Sequence, residues 1–264
     1  MNSKIKKILL KKNKSKIVSL TAYSKNVAKI LDKYCDIILV GDSMANVLYG
    51  HKNTSKISLT NIIQHTSSVK KGIKNSLLVA DMPKNTYNNK KNALQNAKLV
   101  LKQTHCDAIK LESYKDNHKI IKYLVSKKIP IMGHIGYTPQ FKKKFRLEGK
   151  TVSASNSLLK EAKQIEKAGA FSIVLECLTP EAAKRITSNL KIPTIGIGSS
   201  IYCDGQILVT DDMLGLSGFY PKFVKKYANL NRIIEKATKK YTSEVKSKKF
   251  PTFKNFLNAR KLGK

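Results

Sequence analysis

Acidic residues are scarce in this chain: 17 Asp and Glu stand against 51 Lys and Arg, a formal net charge of +34. Arginine is scarcer still. Only Arg146, Arg185, Arg232 and Arg260 are present, which leaves 47 lysines among the 51 basic residues. That shortage argues against the nucleic-acid reading that the charge invites. Arginine makes bidentate contacts to phosphates and bases, whereas lysine is a hydrated point charge. The lysines are spread along the chain in short runs such as Lys142-Lys143-Lys144, with no zinc finger, RNA-recognition aromatic pair or basic heptad beside them. Lysine and asparagine are abundant together, which reads as compositional drift giving a solvated basic surface, and no specific nucleic-acid partner is expected. A surface of one sign still focuses its field into clefts and draws anionic substrates there.

Cysteine is also sparse. Cys35, Cys106, Cys177 and Cys203 lie far apart and form no C-x-x-C pair, so neither a zinc site nor a disulfide framework follows and reduced, mostly buried thiols are expected. No apolar run approaches the roughly 18 residues of a membrane span, and the basic N-terminus has only Ile8-Leu9-Leu10 as an apolar stretch, too short for a signal-peptide core. No membrane partner and a cytoplasmic location are the expectation. The chain shows no repeat, low-complexity linker or Pro/Gly-rich break, and 264 residues with 41% hydrophobic content suit one α/β barrel domain over 1–264.

Short apolar runs recur, each followed by an amphipathic, lysine-rich segment. They are IVSL at 17–20, IILV at 37–40, LLVA at 77–80, AIKLE at 108–112, IPIMGHI at 129–135, FSIVLE at 171–176, PTIGIG at 193–198 and QILV at 206–209. Runs that are continuous rather than alternating predict strands buried on both faces. The stretches between them predict helices; 157–170 carries apolar residues at helical spacing and stops at Gly169. Strand–helix alternation of this length implies a parallel sheet closed as a (β/α)8 TIM barrel. The seventh and eighth runs lie too close for a helix, so that connection is short or irregular. The basic segment 1–16 predicts a helix before the first strand, and 241–264 an irregular or helical appendage.

Few as they are, four acids fall at the ends of apolar runs: Asp42, Asp81, Glu112 and Glu176. Carboxyl ends of barrel strands converge on the active site, and acids gathered there repel unless a cation or proton sits among them. The alternative for any one of them is a helix cap. Oxygen ligands without paired His or Cys favour Mg2+, with Asp42 and Asp81 as ligands and Glu112 in the first or second coordination layer. Such a metal can chelate a 2-oxo acid and polarise its ketone. Lys110 is two residues before Glu112 and so faces the same interior. There it pairs with acids and an anionic substrate, or forms a salt bridge at the barrel mouth. Glu176 is the candidate general base, its pKa raised by enclosure. His134 either bonds the substrate, positions an acid or is a satisfied structural group; His51, His65, His105 and His118 are read as structural. The run TIGIGSS at 194–200 suits either an anion cradle or tight barrel packing.

These residues lie in ordered blocks that resemble the ketopantoate hydroxymethyltransferase family from LTAY (20–23) to PKFVKKY (221–227). The blocks are LVGDS (39–43), ADMP (80–83) with Tyr87, KLE (110–112), MGHIGYTPQ (132–140), EGKT (148–151), AGAFSIVLEC (168–177), IPTIGIG (192–198), CDGQILV (203–209) and DMLGL (212–216). The resemblance implies a TIM barrel that transfers a hydroxymethyl group from 5,10-methylenetetrahydrofolate to 3-methyl-2-oxobutanoate in pantothenate synthesis, through a Mg2+-stabilised enolate. It implies Mg2+ at Asp42, Asp81 and Glu112; substrate contacts from Asp42, Ser43, Asp81 and Lys110; Glu176 as proton acceptor; and a homo-oligomer, commonly a decamer. The chain departs from the family pattern in SMANVLYG after Asp42, at Lys84, in SY after Glu112, at Ser199 and in the loop FKKKFRLEG. A related design, the phosphoenolpyruvate mutase and isocitrate lyase kind, also holds Mg2+ and 2-oxo acids, but the Lys-Lys-Cys-Gly-His motif of its lyases is absent.

Overall fold

The computed structural model describes residues 2–142, 144–218 and 220–256. After α1 (Ser3–Leu10) the chain alternates β1 (Ile17–Thr21), α2 (Lys25–Leu31), β2 (Ile37–Val40), the one-turn α3 (Met44–Val47), α4 (Leu59–Lys70), β3 (Leu77–Asp81), α5 (Lys90–Thr104), β4 (Ala108–Glu112), α6 (His118–Ser126), β5 (Ile131–Gly136), α7 (Val152–Lys167), β6 (Ser172–Glu176), α8 (Pro180–Asn189), β7 (Thr194–Ile197), β8 (Gly205–Leu208), α9 (Thr210–Met213) and α10 (Leu230–Lys246). The eight strands form one closed, all-parallel barrel in sequence order, β8 pairing with β1. This is the (β/α)8 architecture that the run spacing predicts.

Local chemistry sets the element ends. Asn2, Asn89, Thr151 and Thr179 accept backbone N–H bonds at the starts of α1, α5, α7 and α8, and Pro180 occupies the first turn of α8, where its missing N–H costs nothing. The predicted helix at 157–170 therefore begins earlier, at Val152, because its Thr151 cap lies upstream. It ends before Gly169, whose φ of +95° places it in the left-handed region. The N-terminal helix stops at Leu10, and residues 11–15 turn into β1. The C-terminal helix starts at Leu230, well before the expected 241, and 257–264 lie outside the described residues.

Every residue of β2, β3, β4 and β5 is buried, because one face packs into the barrel and the other under helices. Inside the barrel, Ile17, Ile37, Leu77, Ala108, Met132, Val174, Ile195 and Ile207 form one apolar cluster, and Ile5 and Ile8 of α1 pack onto it. Alternation by two then carries each inward column upward, from Leu77 through Val79 to Asp81, from Ala108 through Lys110 to Glu112, and from Met132 to His134. The barrel interior is thus apolar at its amino end and ionisable at its carboxyl end. Outside, neighbouring helices pack in the order α2–α4–α5–α6–α7–α8. Among the described residues, no helix is long and apolar enough to cross a membrane.

Ile8 is 2% exposed, and truncating such a side chain costs about 2–5 kcal/mol through lost transfer energy and the cavity left behind. Ile8→Ala is therefore expected to lower the unfolding free energy by about that amount in urea titration, with the carboxyl-end site unaltered.

Candidate active site

Three strand pairings bring the ionisable columns together. The register sets Asp81 beside Lys110, Glu112 beside His134 and Gly136 beside Glu176. Asp42 joins them from the turn after β2, its backbone N–H donating to Asp81 Oδ2 at 3.3 Å. Lys110 Nζ lies 2.9 Å from Asp81 Oδ2 and 3.4 Å from His134 Nδ1. His134 in turn spans two glutamates, with Nδ1 3.7 Å from Glu112 Oε1 and Nε2 3.1 Å from Glu176 Oε2; the angle of the second approach does not make a hydrogen bond. Cys177, immediately after Glu176, has φ +54°, a left-handed conformation that a non-glycine residue adopts only where its surroundings hold it.

The electrostatics follow from burial. Enclosure raises the Asp81 carboxyl to about 7 against the pull of Lys110, with Asp42 adding to the rise. Glu112 is raised well above the usual carboxylate range by burial and by Asp42. Burial alone would lower Lys110, but the carboxylates of Asp81, Glu112 and Asp42 outweigh it and hold the ammonium charged. Burial and then Lys110 push His134 well below its ordinary value, so its imidazole is neutral. A lysine ammonium only donates, so Nδ1 is the acceptor and the ring proton sits on Nε2, toward Glu176. Glu176 is raised to about 7, again by burial and against Lys110.

Gln140 completes the cluster, and sequence reasoning gave it no role. It lies in the quoted block MGHIGYTPQ, but on the loop after β5 rather than at a strand end, so spacing did not single it out. Its backbone N–H donates to Glu112 Oε2 at 3.1 Å, and its side-chain amide donates to Asp42 Oδ2 at 2.9 Å and to the Met82 carbonyl at 3.0 Å. The Tyr87 hydroxyl donates to Gln140 Oε1 at 2.6 Å. The next residue, Phe141, stacks on Tyr114 with ring centroids 4.3 Å apart, and Lys84 Nζ lies 5.7 Å over its ring. Two departures from the family pattern, Lys84 and the SY after Glu112, therefore meet on one loop that covers the acids. Ser43 Oγ pairs with the Tyr23 hydroxyl at 2.8 Å, and His65 Nδ1 lies 2.7 Å from the Tyr23 carbonyl.

Two oxygens in this cluster, Asp81 Oδ1 and Glu112 Oε1, are buried without a hydrogen-bond partner. Buried acceptors without partners beside carboxylates of raised pKa suit a hard cation, and an all-oxygen donor set suits Mg2+. Asp42, Asp81 and Glu112 are the groups that could hold it. Among the described residues, no three His, Cys, Asp or Glu side chains converge as a ready-made shell, since Gln140 sits between Asp42 and Glu112. The 194–200 run takes the packing alternative at its glycines. A Cβ on Gly196 would sit 3.0 Å from Cys203 Sγ, and one on Gly198, at φ +57°, would lie 2.7 Å from the Phe223 ring. Ser199 donates to the Leu175 carbonyl at 2.7 Å and accepts from Leu178 N–H. All four cysteines are free and buried.

Closed barrel and ionisable carboxyl end together make a (β/α)8 architecture whose candidate site is built on strand ends. The fold is shared with phosphonopyruvate hydrolase solved in complex with oxalate and Mg2+, at TM-score 0.61 and 11% identity over 99% of this chain and 94% of that one. At sequence level the match is narrower in kind. The family model described as ketopantoate hydroxymethyltransferase matches residues 2–253. The 3-methyl-2-oxobutanoate hydroxymethyltransferase of Pelagibacter ubique (strain HTCC1062) is 51% identical over 97% of this chain and 99% of its own. That of Clostridioides difficile (strain 630) is 46% identical over 91% and 90%. The chain belongs to the ketopantoate hydroxymethyltransferase family of enzymes.

Lys110 is ion-paired with Asp81 and also feels the charge of Glu112 and Asp42, and removing one partner of a buried ion pair costs about 3–5 kcal/mol. Lys110→Met is expected to lose roughly that much at neutral pH, read by thermal or urea unfolding. Part of the loss should return as pH falls and the orphaned acids protonate.

Proposed function

We propose that this barrel transfers a hydroxymethyl group from 5,10-methylenetetrahydrofolate to 3-methyl-2-oxobutanoate, giving ketopantoate for pantothenate synthesis. The observation that carries the reading is the buried cluster at the carboxyl end, in which Lys110 pairs with Asp81 under the charge of Glu112 and Asp42 and two carboxylate oxygens have no hydrogen-bond partner. Membership of a family whose relatives bear this reaction in their names supports the choice of substrate.

Asp42 and Asp81, with Glu112 in or beside the inner layer, would hold Mg2+, which would supply Lewis acidity to the ketone of the 2-oxo acid. Lys110 faces the substrate carboxylate and favours the ionised form of Asp81 against burial, and Ser43 lends its hydroxyl at the turn after β2. Glu176 takes the proton from C3 of the substrate; a carboxylate whose pKa lies near 7 is matched to that task at neutral pH. His134, neutral and 3.1 Å from Glu176 Oε2, adds no positive charge beside that carboxylate and does not compete for the substrate proton. Water takes the methylene carbon from both folate nitrogens, its two hydrogens passing to them, and the C3 carbanion bonds to the formaldehyde carbon so released, whose oxygen takes up the proton held by Glu176 and becomes the product hydroxyl. Gln140 and the loop behind it cover Asp42 and Glu112 and exclude bulk water. The working protein is a homo-oligomer, a decamer by family resemblance, and is cytoplasmic.

Ketopantoate formation from the two substrates should require Mg2+ and stop on chelation; no product from folded protein in either condition would refute the assignment. Glu176→Gln should abolish turnover by a factor of about 10² or more while substrate still binds in a Mg2+-dependent way by calorimetry; near-normal turnover would remove Glu176 as base. The base must be ionised, so kcat/KM should climb as pH rises through about 7 and be lost below it. A profile flat from pH 5 to 8 would contradict that role.

A further inference from the structure

Gln140 is 2% exposed, and every end of its side chain is engaged. Its carboxamide carries N–H donors on one side and a carbonyl acceptor on the other. The nitrogen donates to Asp42 Oδ2 at 2.9 Å and to the Met82 carbonyl at 3.0 Å, while Oε1 accepts from the Tyr87 hydroxyl at 2.6 Å. The backbone N–H of the same residue donates to Glu112 Oε2 at 3.1 Å. Gln140 thus grips two of the three acids that could hold a cation, one through its side chain and the other through its main chain. The backbone around it is itself fixed. Tyr137 N–H donates to the Glu176 carbonyl, the N–H groups of Phe141 and Lys142 both donate to the Thr138 carbonyl, and Lys142 Nζ donates to the Gly136 carbonyl.

These bonds treat the two oxygens of each acid differently. Asp42 is held through Oδ2 and Glu112 through Oε2, both by Gln140, while Asp81 Oδ2 takes Lys110 Nζ and the Asp42 N–H. The opposite oxygens of Asp81 and Glu112 are the buried ones without a hydrogen-bond partner, and Asp42 Oδ1 takes no part in these bonds. A carboxylate tied at one oxygen presents the other in a fixed direction, so less ordering remains to be done when a cation arrives. Tyr87, buried beside Gln140, decides which way the carboxamide faces. Its hydroxyl supplies a proton to Oε1, and the Met82 carbonyl can only accept, so the nitrogen is the end that meets Asp42. Reversed, the carboxamide oxygen would face two acceptors.

We infer that Gln140 is a positioning residue of the cation site: oriented by Tyr87, it directs the free oxygens of Asp42 and Glu112 and so sets the Mg2+ affinity of the chain. Neither Gln140 nor Tyr87 touches the cation in this role. The inference rests on the Mg2+ reading above and adds the residues that orient its ligands.

The test is calorimetric titration of Mg2+ into the full chain, with 3-methyl-2-oxobutanoate and without it. Gln140→Met keeps the length of the side chain and removes its hydrogen bonds. It should raise the Mg2+ Kd about 10- to 100-fold, the usual loss when a group that orients a metal ligand is removed. Tyr87→Phe should raise it by a smaller factor, because the carboxamide can turn but is still present. The double variant should lose no more than Gln140→Met alone, since both changes act through one carboxamide. Should Gln140→Met fail to fold, as read by circular dichroism, the Tyr87→Phe titration carries the test, and an unchanged Kd there would overturn the inference. A folded Gln140→Met chain that binds Mg2+ as tightly as the parent would overturn it while leaving the cation reading. Losses that simply add would break the link from Tyr87 through Gln140. No Mg2+ binding by the parent chain in either condition would overturn the cation reading and this inference with it.

Discussion

A buried lysine ammonium paired with one carboxylate and under the charge of two more, at one end of a closed barrel, is the constraint on which this molecule is organised. Lys110 is 4% exposed and Asp81 1%, so neither is stabilised by water, and each is tolerable only because the other is 2.9 Å away. The acids outnumber the cation. Burial first, and the surplus of acids after it, raises the carboxyl pKa values of Asp81 and Glu112, and two buried oxygens are left without hydrogen-bond partners. A cluster in that condition favours a cation that completes it.

The rest of the barrel isolates that cluster. Apolar columns and the α1 plug fill the amino end, leaving the ionisable layer open only at the carboxyl rim. Over that rim the β5–α7 loop brings Gln140 onto Asp42 and Glu112, and the Phe141–Tyr114 stack ties it to the loop after β4. The lysine-rich exterior sits outside this arrangement. It dominates the net charge but has few acids to pair with, and some of its ion pairs, such as Lys119–Asp116 and Lys239–Glu235, are exposed contacts, which contribute little.

Legibility in the sequence tracked periodicity. Each of the eight apolar runs became a strand because a run buried on both faces has no other stable place in an alternating α/β chain. The strand-end acids were visible for the same reason, since a charge closing such a run must emerge at the barrel mouth. Element ends were less legible, because they depend on caps such as Thr151 and Asn229 that lie outside the periodic stretch. Gln140 was not legible as a site residue: its partners are 98 residues away at Asp42 and 28 away at Glu112, and no local signal marks a loop that folds back over the rim.

The sequence by itself determined the barrel, the column of Lys110 and Glu112 on one face of a strand, and the family, because hydrophobic period and ordered blocks are properties of the chain in one dimension. Only the tertiary structure decided which atoms meet. It set His134 neutral between two glutamates, gave Asp42 to Gln140, and left Asp81 Oδ1 and Glu112 Oε1 without hydrogen-bond partners. Those outcomes rest on distances and desolvation between residues far apart in the chain, and such quantities exist only once the barrel has closed.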